Sequence, residues 1–219
     1  MKKWFAVLLA LVGALAAFAG CSGAENFTPK TYRSGESAVE EIVIEVADRE
    51  VEIAASEDDQ VRIEYFDSEK EFLEITGAET GRLTVRLVQN KEWTDFIGVK
   101  PSEEFRKVSV RVPDGKIVRL SASTTNESIR VEALSFAESV TLSSNGGDVV
   151  CERVGVGASI ALTVKNGDVT GTVVGTWDDF SITCTGKKGE SNLPERKEGG
   201  TKTLAVEYNN GDVDLQIAA

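Results

Sequence analysis

Short segments along most of this chain alternate apolar and polar residues. Residues 160–164 and 169–173 are one example, with apolar side chains at every second position on each side of a polar turn at 166–168. A period of two sends the apolar side chains to one face of a β-strand and the polar ones to the other. Asn and Gly in the turn tolerate the positive φ of a tight connection. The pattern therefore predicts strand, turn and strand.

This strand–turn–strand unit repeats in the C-terminal half of the chain, with a spacing of twenty residues. The aligned stretches are LSASTTNESIRVEAL from Leu120, VTLSSNGGDVVCERV from Val140, IALTVKNGDVTGTVV from Ile160 and LAVEYNNGDVDLQIA from Leu204. A fixed period of this size is typical of stacked units, none of which can bury its apolar face alone.

An irregular unit over 180–194 lies between the third and fourth stretches, where a longer loop replaces the tight turn. Weaker alternation occurs at 42–53, 61–65, 83–87 and 108–113, and no convincing amphipathic helix follows residue 25. We therefore predict one all-β domain over 40–219. Its expected form is a β-solenoid, a β-helix-like stack of short strands with a repeat of about twenty residues.

The N-terminus predicts secretion and lipidation. Lys2 and Lys3 precede an uncharged apolar run over 4–19, which is shorter than the roughly twenty residues that span a bilayer. Phe18-Ala19-Gly20-Cys21 looks like a bacterial lipobox, although Leu is more usual in the place of Phe18. The signal peptide is then 1–20 and Cys21 is the lipidated first residue; an unlipidated signal peptide cut nearby is the alternative.

Residues 21–39 are polar and predict a flexible tether between the lipid and the domain. Removal of Lys2 and Lys3 changes the formal charge from −12 to −14. A body this acidic repels nucleic acid and anionic lipid headgroups. The protein is expected to be extracytoplasmic and lipid-anchored to a bacterial membrane, at the cell surface or in the periplasm.

Cys151 and Cys184 are the cysteines that remain after Cys21. The alternation points both side chains inward, but the repeat places them in units that are not adjacent. Strands lie about 4.8 Å apart, so the gap exceeds the reach of a disulfide. Two buried free thiols are therefore favoured over a bridge, unless the irregular unit distorts the stack.

The chain contains no histidine, which removes Ser-His-Asp and Cys-His catalysis. No glycine-rich phosphate loop or zinc-binding set of cysteines is present. Asp178 and Asp179 beside Trp177 could serve a carbohydrate-active enzyme, but neighbouring acids in a turn are usually solvated. We expect no enzymatic activity and no cofactor.

Three acidic residues share one register of the repeat and are weak calcium candidates: Asp148, Asp168 and Asp212. Stacked turns could align their carboxylates with backbone carbonyls, as calcium-binding repeats do. A structural role is favoured, because Asp side chains also stabilise turns by bonding to their own backbone. No dedicated metal site is predicted.

Two segments are candidates for binding. The loop from Lys187 to Lys197 is the most basic part of an acidic chain, with Lys187, Lys188, Arg196 and Lys197, and it suits an anionic or protein partner. Trp93 belongs to an aromatic loop that could bind sugar or protein. Trp93, Phe96 and Phe105 could instead cap the open end of the stack.

The Asn-Gly-Asp-Val turns at 166–169 and 210–213, the variant at 146–149 and the stretch 189–194 resemble a bacterial family of adhesin-like proteins with a β-strand-repeat domain of unknown function. The resemblance covers roughly 40 to 217. It implies a β-helix-like fold at the cell envelope and supplies no catalytic residues.

Two functions follow as expectations. The first is a non-enzymatic envelope lipoprotein that binds an unidentified surface protein or glycan. The second, which the resemblance implies, is an accessory or regulatory partner of an envelope-stress sensor. A carbohydrate-active enzyme is the third alternative.

Overall fold

The computed structural model describes residues 25–35, 38–92 and 100–219. The strands are β1 Thr28–Arg33, β2 Glu41–Glu45, β3 Glu50–Ala55, β4 Arg62–Asp67, β5 Glu71–Thr76, β6 Arg82–Gln89, β7 Lys107–Val112, β8 Arg119–Thr124, β9 Ile129–Val131, β10 Leu134–Phe136, β11 Ser139–Ser144, β12 Val149–Val156, β13 Ser159–Asn166, β14 Val169–Val174, β15 Phe180–Lys188, β16 Arg196–Lys197, β17 Lys202–Asn210 and β18 Val213–Ala218. Short 3-10 helices occur at Ala78–Thr80, Glu103–Arg106 and Trp177–Asp179. No helix within the described ranges is long and apolar enough to cross a membrane.

The strands form two nine-stranded mixed sheets, which confirms the all-β prediction. The first sheet has the order β1-β4-β7-β3-β9-β12-β14-β18, with β10 beside β12, and the second has the order β16-β15-β17-β13-β11-β8-β2-β6-β5. Each repeat unit gives one strand to each sheet, and equivalent residues pair in parallel. Val140 lies between Leu120 and Ile160, for example, as the twenty-residue spacing predicts.

The core lies between the two sheets and consists of the alternating apolar residues. Leu142, Leu162 and Val206 of the second sheet are buried, as are Val149 and Val169 of the first. Each such side chain contributes about 1.5–3 kcal/mol when it leaves water. The inward face predicted from the alternation is therefore the face that packs.

Strand order in space departs from the order in the sequence. The last regular unit, β17 and β18, pairs directly with β13 and β14, and the irregular unit's β15 lies outside β17. Near the N-terminus, β2 similarly lies between β6 and β8. This placement brings regular units together, so that their turns form an uninterrupted column, and leaves the irregular loop at an end where nothing must stack on it.

The predicted tether is wrong for residues 28–33, which form β1. This strand pairs antiparallel with β4, from Thr28 opposite Asp67 to Arg33 opposite Arg62. Its side chains are mostly exposed, so backbone hydrogen bonds hold it rather than apolar burial. The adjacent Phe27 ring stacks on Phe105, with ring centroids 5.1 Å apart. Polar composition alone did not reveal a strand held in this way.

A buried ionic cluster lies near this end of the stack. Arg49 pairs with Glu71, and both side chains are almost fully buried. Lys91 also pairs with Glu71 and lies 4.0 Å from Glu25. Burial lowers the pKa of Arg49 below its ordinary value, against the attraction of Asp48 and other acids. Each buried charge therefore has an opposite partner, as burial of charge requires.

Candidate functional site

The Asn-Gly-Asp turns stack into one column along the edge between the sheets. Asp148 Oδ1 accepts a hydrogen bond from the backbone N–H of Asp168 at 2.9 Å, and Asp168 Oδ1 accepts one from Asp212 at 2.7 Å. Asp212 Oδ1 accepts from the N–H of Glu190 at 2.8 Å. The three calcium candidates thus share one column, and each carboxylate bonds to the backbone of the next turn rather than its own.

Glycine is required in this column because neighbouring turns touch. A Cβ on Gly167 would lie 2.4 Å from the carbonyl oxygen of Gly147, and one on Gly211 would lie 2.0 Å from that of Gly167. Gly189 of the irregular unit meets Gly211 in the same way, at 1.8 Å. The repeated Gly is therefore a packing requirement between units, in addition to its role within each turn.

No metal-binding cluster occurs in the part of the chain that the structure describes: no three His, Cys, Asp or Glu residues converge there. Asn side chains extend the turn column, since Asn210 Nδ2 donates to Asn166 Oδ1 at 2.7 Å. The geometry of the column therefore accounts for the repeated spacing of Asn, Gly and Asp by contacts between turns.

Both cysteines are buried and unbridged, as the repeat register predicts. Cys151 lies on β12 of the first sheet and Cys184 on β15 of the second. Burial raises the pKa of Cys151 to about 12, so its thiol stays protonated at neutral pH. Cys184 Sγ lies 3.2 Å from Ser191 Oγ. Neither thiol is placed for redox chemistry.

The last strands of the second sheet carry an exposed aromatic and basic surface. Among the residues that the structure describes, Trp177 is the one large hydrophobic side chain that is exposed, with 46% of its surface accessible. Lys197 Nζ lies 5.7 Å from the Trp177 ring centroid and donates a hydrogen bond to the carbonyl of Phe180 at 2.8 Å. These contacts hold Lys197 beside the indole, where the cation and the ring face solvent together.

The four basic residues of the predicted loop divide into two pairs along the edge. Arg196 and Lys197 form β16 and pair with Thr183 and Ile182, whereas Lys187 and Lys188 end β15. The separation along the strand is about five residues, or roughly 17 Å. Arg196 also forms an ion pair with Glu198 at 2.5 Å. We call Trp177, Lys187, Lys188, Arg196 and Lys197 together the terminal patch.

Trp177 was not singled out as a binding residue by sequence reasoning, which considered it only beside Asp178 and Asp179. The structure places all three in a 3-10 helix with a capping box. The Thr176 backbone N–H donates to Asp179 at 2.7 Å, and hydrogen bonds from Thr176 lower the pKa of that carboxyl. Asp179 thus has a structural role. The sequence does contain a sign that Trp177 is exposed, because it lies in a polar Gly-Thr-Trp-Asp-Asp segment.

A polar cleft of about 250 Å³ lies where the turn column meets the first sheet. Its lining includes the acids Glu50, Glu103, Glu127 and Asp148 together with Arg106 and Arg130. The two arginines are already paired, Arg106 with Glu127 and Arg130 with Glu152 at 3.0 Å. With four acids and two arginines, the lining keeps a formal charge of −2.

Two predicted site residues, Cys21 and Trp93, lie outside the described residues, and so does Phe96 of the suggested aromatic cap. Phe105 is described. In addition to stacking on Phe27, it meets the Phe66 ring edge-on, with centroids 5.3 Å apart. Phe105 therefore packs at the β1 end of the stack.

Solved structures of two bacterial proteins are similar to this one. A putative cell adhesion protein from Clostridium sporogenes aligns with a TM-score of 0.55 and 9% identity, covering 88% of this chain and 99% of that protein. A putative adhesin from Bacteroides fragilis aligns with a TM-score of 0.36 and 11% identity over 90% of this chain and all of that protein. At these identities the first likeness shows the fold alone.

No curated protein matches the chain. The family described as Toastrack DUF4097 matches residues 39–216, nearly the whole of the predicted domain. The match spans both sheets and every unit of the turn column. This chain therefore belongs to the Toastrack DUF4097 family.

Proposed function

We propose that this protein is a non-enzymatic lipoprotein of the bacterial envelope that binds a partner through the terminal patch. Its two sheets serve as a rigid β-solenoid between a lipid anchor at one end and a binding surface at the other. The observation that carries the proposal is the exposed Trp177, in the 3-10 helix before β15, held beside Lys197 of β16.

The terminal patch has the composition of a binding surface. Trp and Arg are the residues that most often dominate binding energy, and exposed Lys adds charge selectivity. The chain has a formal charge of −12, whereas its segment 187–198 has four basic and three acidic residues and a net charge of +1. An acidic protein segment or an anionic glycan is the partner that this combination suits best.

The anchor and the patch lie at opposite ends of the stack. Cys21 is six residues from Phe27, which packs beside β1, so a lipid on Cys21 keeps that end within roughly 20 Å of the membrane. The first sheet orders eight strands from β1 to β18, which is roughly 35 Å at ordinary strand spacing. The terminal patch would then face away from the bilayer.

The similarity to a protein named as a cell adhesion protein supports a surface location and a binding role. The absence of histidine from the sequence agrees with that role. Of the two acids beside Trp177, Asp179 has a structural role, because its carboxylate accepts a hydrogen bond from the N–H of Thr176.

The anchor is tested by membrane fractionation of the full-length protein. Cys21→Ser should move the protein from the membrane fraction to the soluble extracytoplasmic fraction. Retention of the Cys21→Ser variant in the membrane would contradict lipidation at this residue.

The binding surface is tested by crosslinking the full-length tagged protein in living cells and identifying what is captured by mass spectrometry. The test variant changes Lys187, Lys188, Arg196 and Lys197 to Ser. The control makes the same change in charge elsewhere, with Arg82, Arg86, Lys116 and Arg130 changed to Ser. Capture that the test variant loses and the control keeps would support the terminal patch.

The captured material separates the two functions. Wall glycan or host-surface material indicates adhesion, whereas one membrane sensor indicates a regulatory partner and contradicts the adhesive role. Capture that is equal in the test variant and the wild type would show that binding occurs elsewhere.

A further inference from the structure

The outward face of the second sheet carries mostly small hydroxyl side chains over strands β8, β11, β13, β17 and β15, at eleven of fifteen positions. Strand pairing aligns these positions in three rows across the sheet. We call them the hydroxyl face: Ser121, Ser123, Ser139, Thr141, Ser143, Ser159, Thr163, Thr203, Ser181, Thr183 and Thr185. The exceptions within the rows are Arg119, Ala161, Ala205 and Glu207.

Folding alone does not require this composition. The outward positions of the same units on the first sheet carry charges, including Arg130, Glu152 and Asp214. Charged residues make up 27% of the chain, and they border the hydroxyl face rather than enter its centre. Arg119 at one border pairs with Glu41 and Glu138.

Most of these hydroxyl groups are available to a ligand. Those of Thr141, Ser143 and Thr163 have no protein partner in the described part of the chain, whereas Ser123 and Ser181 donate to backbone carbonyls. Each hydroxyl can donate one hydrogen bond and accept others. Neighbours are spaced about 4.8 Å across the strands and about 6.6 Å along them.

We propose that the hydroxyl face binds a neutral polysaccharide lying along the stack. Its rows offer the same donor and acceptor groups at each strand, so a linear polymer with repeated hydroxyls can bond at many equivalent positions. The centre of the face has no charge that would select an ionic ligand. The hydroxyl face adjoins the terminal patch, because Thr183 pairs with Arg196, but its residues are different ones. The proposal does not depend on the lipid anchor.

Two other occupants fit less well. A folded protein partner usually needs Trp, Tyr or Arg anchors, and the centre of the hydroxyl face has none. A second copy of this chain would need a more apolar surface, since homodimer interfaces are mostly apolar. The observations therefore favour a polymer that is itself rich in hydroxyl groups.

The test measures co-sedimentation of the full-length protein, in detergent, with insoluble cellulose, chitin and mannan. Thr163→Arg places a long charged side chain on β13, the middle of the five strands of the hydroxyl face, opposite Glu207 of β17. Thr170→Arg is the matched control, because Thr170 lies on β14 of the same unit but faces outward from the first sheet. Equal unfolding midpoints for the two variants would show that both fold.

We expect retention on at least one of the three polysaccharides, undiminished at about 1 M NaCl, where charge interactions are screened. Thr163→Arg should weaken it roughly tenfold, and Thr163→Ser and Thr170→Arg should leave it unchanged. Lack of retention on all three polymers, loss of retention in salt, or an equal effect of the two arginine variants would overturn the proposal. So would a dimer of the wild type that Thr163→Arg dissociates, because the face would then belong to a second copy.

Discussion

Single residues in the turn column are constrained by the unit stacked beside them more than by their own turn. A Cβ on Gly167 or Gly211 would clash with a backbone carbonyl of the neighbouring turn in the stack. The Asp168 carboxylate likewise accepts a hydrogen bond from the backbone N–H of the next turn in the stack. The sequence displays these residues as a turn motif. Only the stacked structure shows that the motif is also an interface between units.

Gly211→Ala tests this constraint. The new Cβ would lie 2.0 Å from the Gly167 carbonyl oxygen at a φ of +137°, so we expect the free energy of unfolding to fall by about 2–4 kcal/mol. Gly199→Ala is the control, since Gly199 has a φ of +103° but a Cβ there would meet no atom within 4 Å, and the change should cost about 1 kcal/mol. Equal losses in urea unfolding would show that the contact between turns is unimportant.

The Cys151 thiol should resist modification in the folded protein. Its side chain is fully buried, and burial raises its pKa to about 12, so little thiolate exists at pH 8. We expect maleimide to label Cys151 only after urea is added, as measured by peptide mass spectrometry. Rapid labelling of Cys151 in the native protein would contradict the packing described for β12.

Among the elements, the alternation of apolar and polar residues predicted nearly every strand of the core, but it did not predict the order of the strands in the sheets. A period of two identifies which residues are buried but says nothing about which unit stacks on which. The position of β17 between β13 and β15 depends on contacts between turns 44 residues apart, such as Asn210 with Asn166. The exposed strand β1 was missed because backbone pairing, which leaves no apolar pattern, holds it in place.

The sequence predicted only part of the candidate site, because it does not show which strands lie side by side. The basic residues of the irregular loop were visible in the sequence, but their division into two pairs follows from β16 folding back on β15. The approach of Lys197 to Trp177 joins residues twenty positions apart through that same reversal. Their proximity required the fold.

Strand order can be tested with paired cysteines. Thr163 and Glu207 are opposite each other on neighbouring strands β13 and β17, so Thr163→Cys with Glu207→Cys should form a disulfide under mild oxidation. Thr163→Cys with Thr185→Cys should not, because β15 lies one strand further away, at about 9.6 Å. Mass spectrometry of the oxidised protein distinguishes the two. A bridge in the second pair alone would place β15 beside β13 and contradict the order described.

In the molecule as a whole, two sheets of parallel units form a stack whose ends differ. One end carries β1, the Phe27–Phe105 ring pair and the buried Arg49–Glu71 pair; the other carries the terminal patch. With the proposed lipid anchor at the N-terminus, this polarity would place the terminal patch at the end away from the membrane.

The stability of the stack should not depend on calcium. Asp148, Asp168 and Asp212 already accept hydrogen bonds from backbone N–H groups. These hydrogen bonds stabilise the negative carboxylates, which a cation would otherwise do. Addition of a chelator should therefore leave the Tm of the full-length protein unchanged. A Tm that rises with added calcium would indicate ion binding to the folded state and revive the calcium role of these residues.

The proposed binding through the terminal patch can be tested by photo-crosslinking in living cells from single positions. A photoreactive residue replaces Trp177 in one protein and Thr172, on the outward face of the first sheet, in another. We expect a specific adduct from position 177 that is absent from position 172 and reduced when Lys197 is changed to Glu. Identical adducts from both positions, or an adduct from position 172 alone, would show that the partner does not bind at the terminal patch.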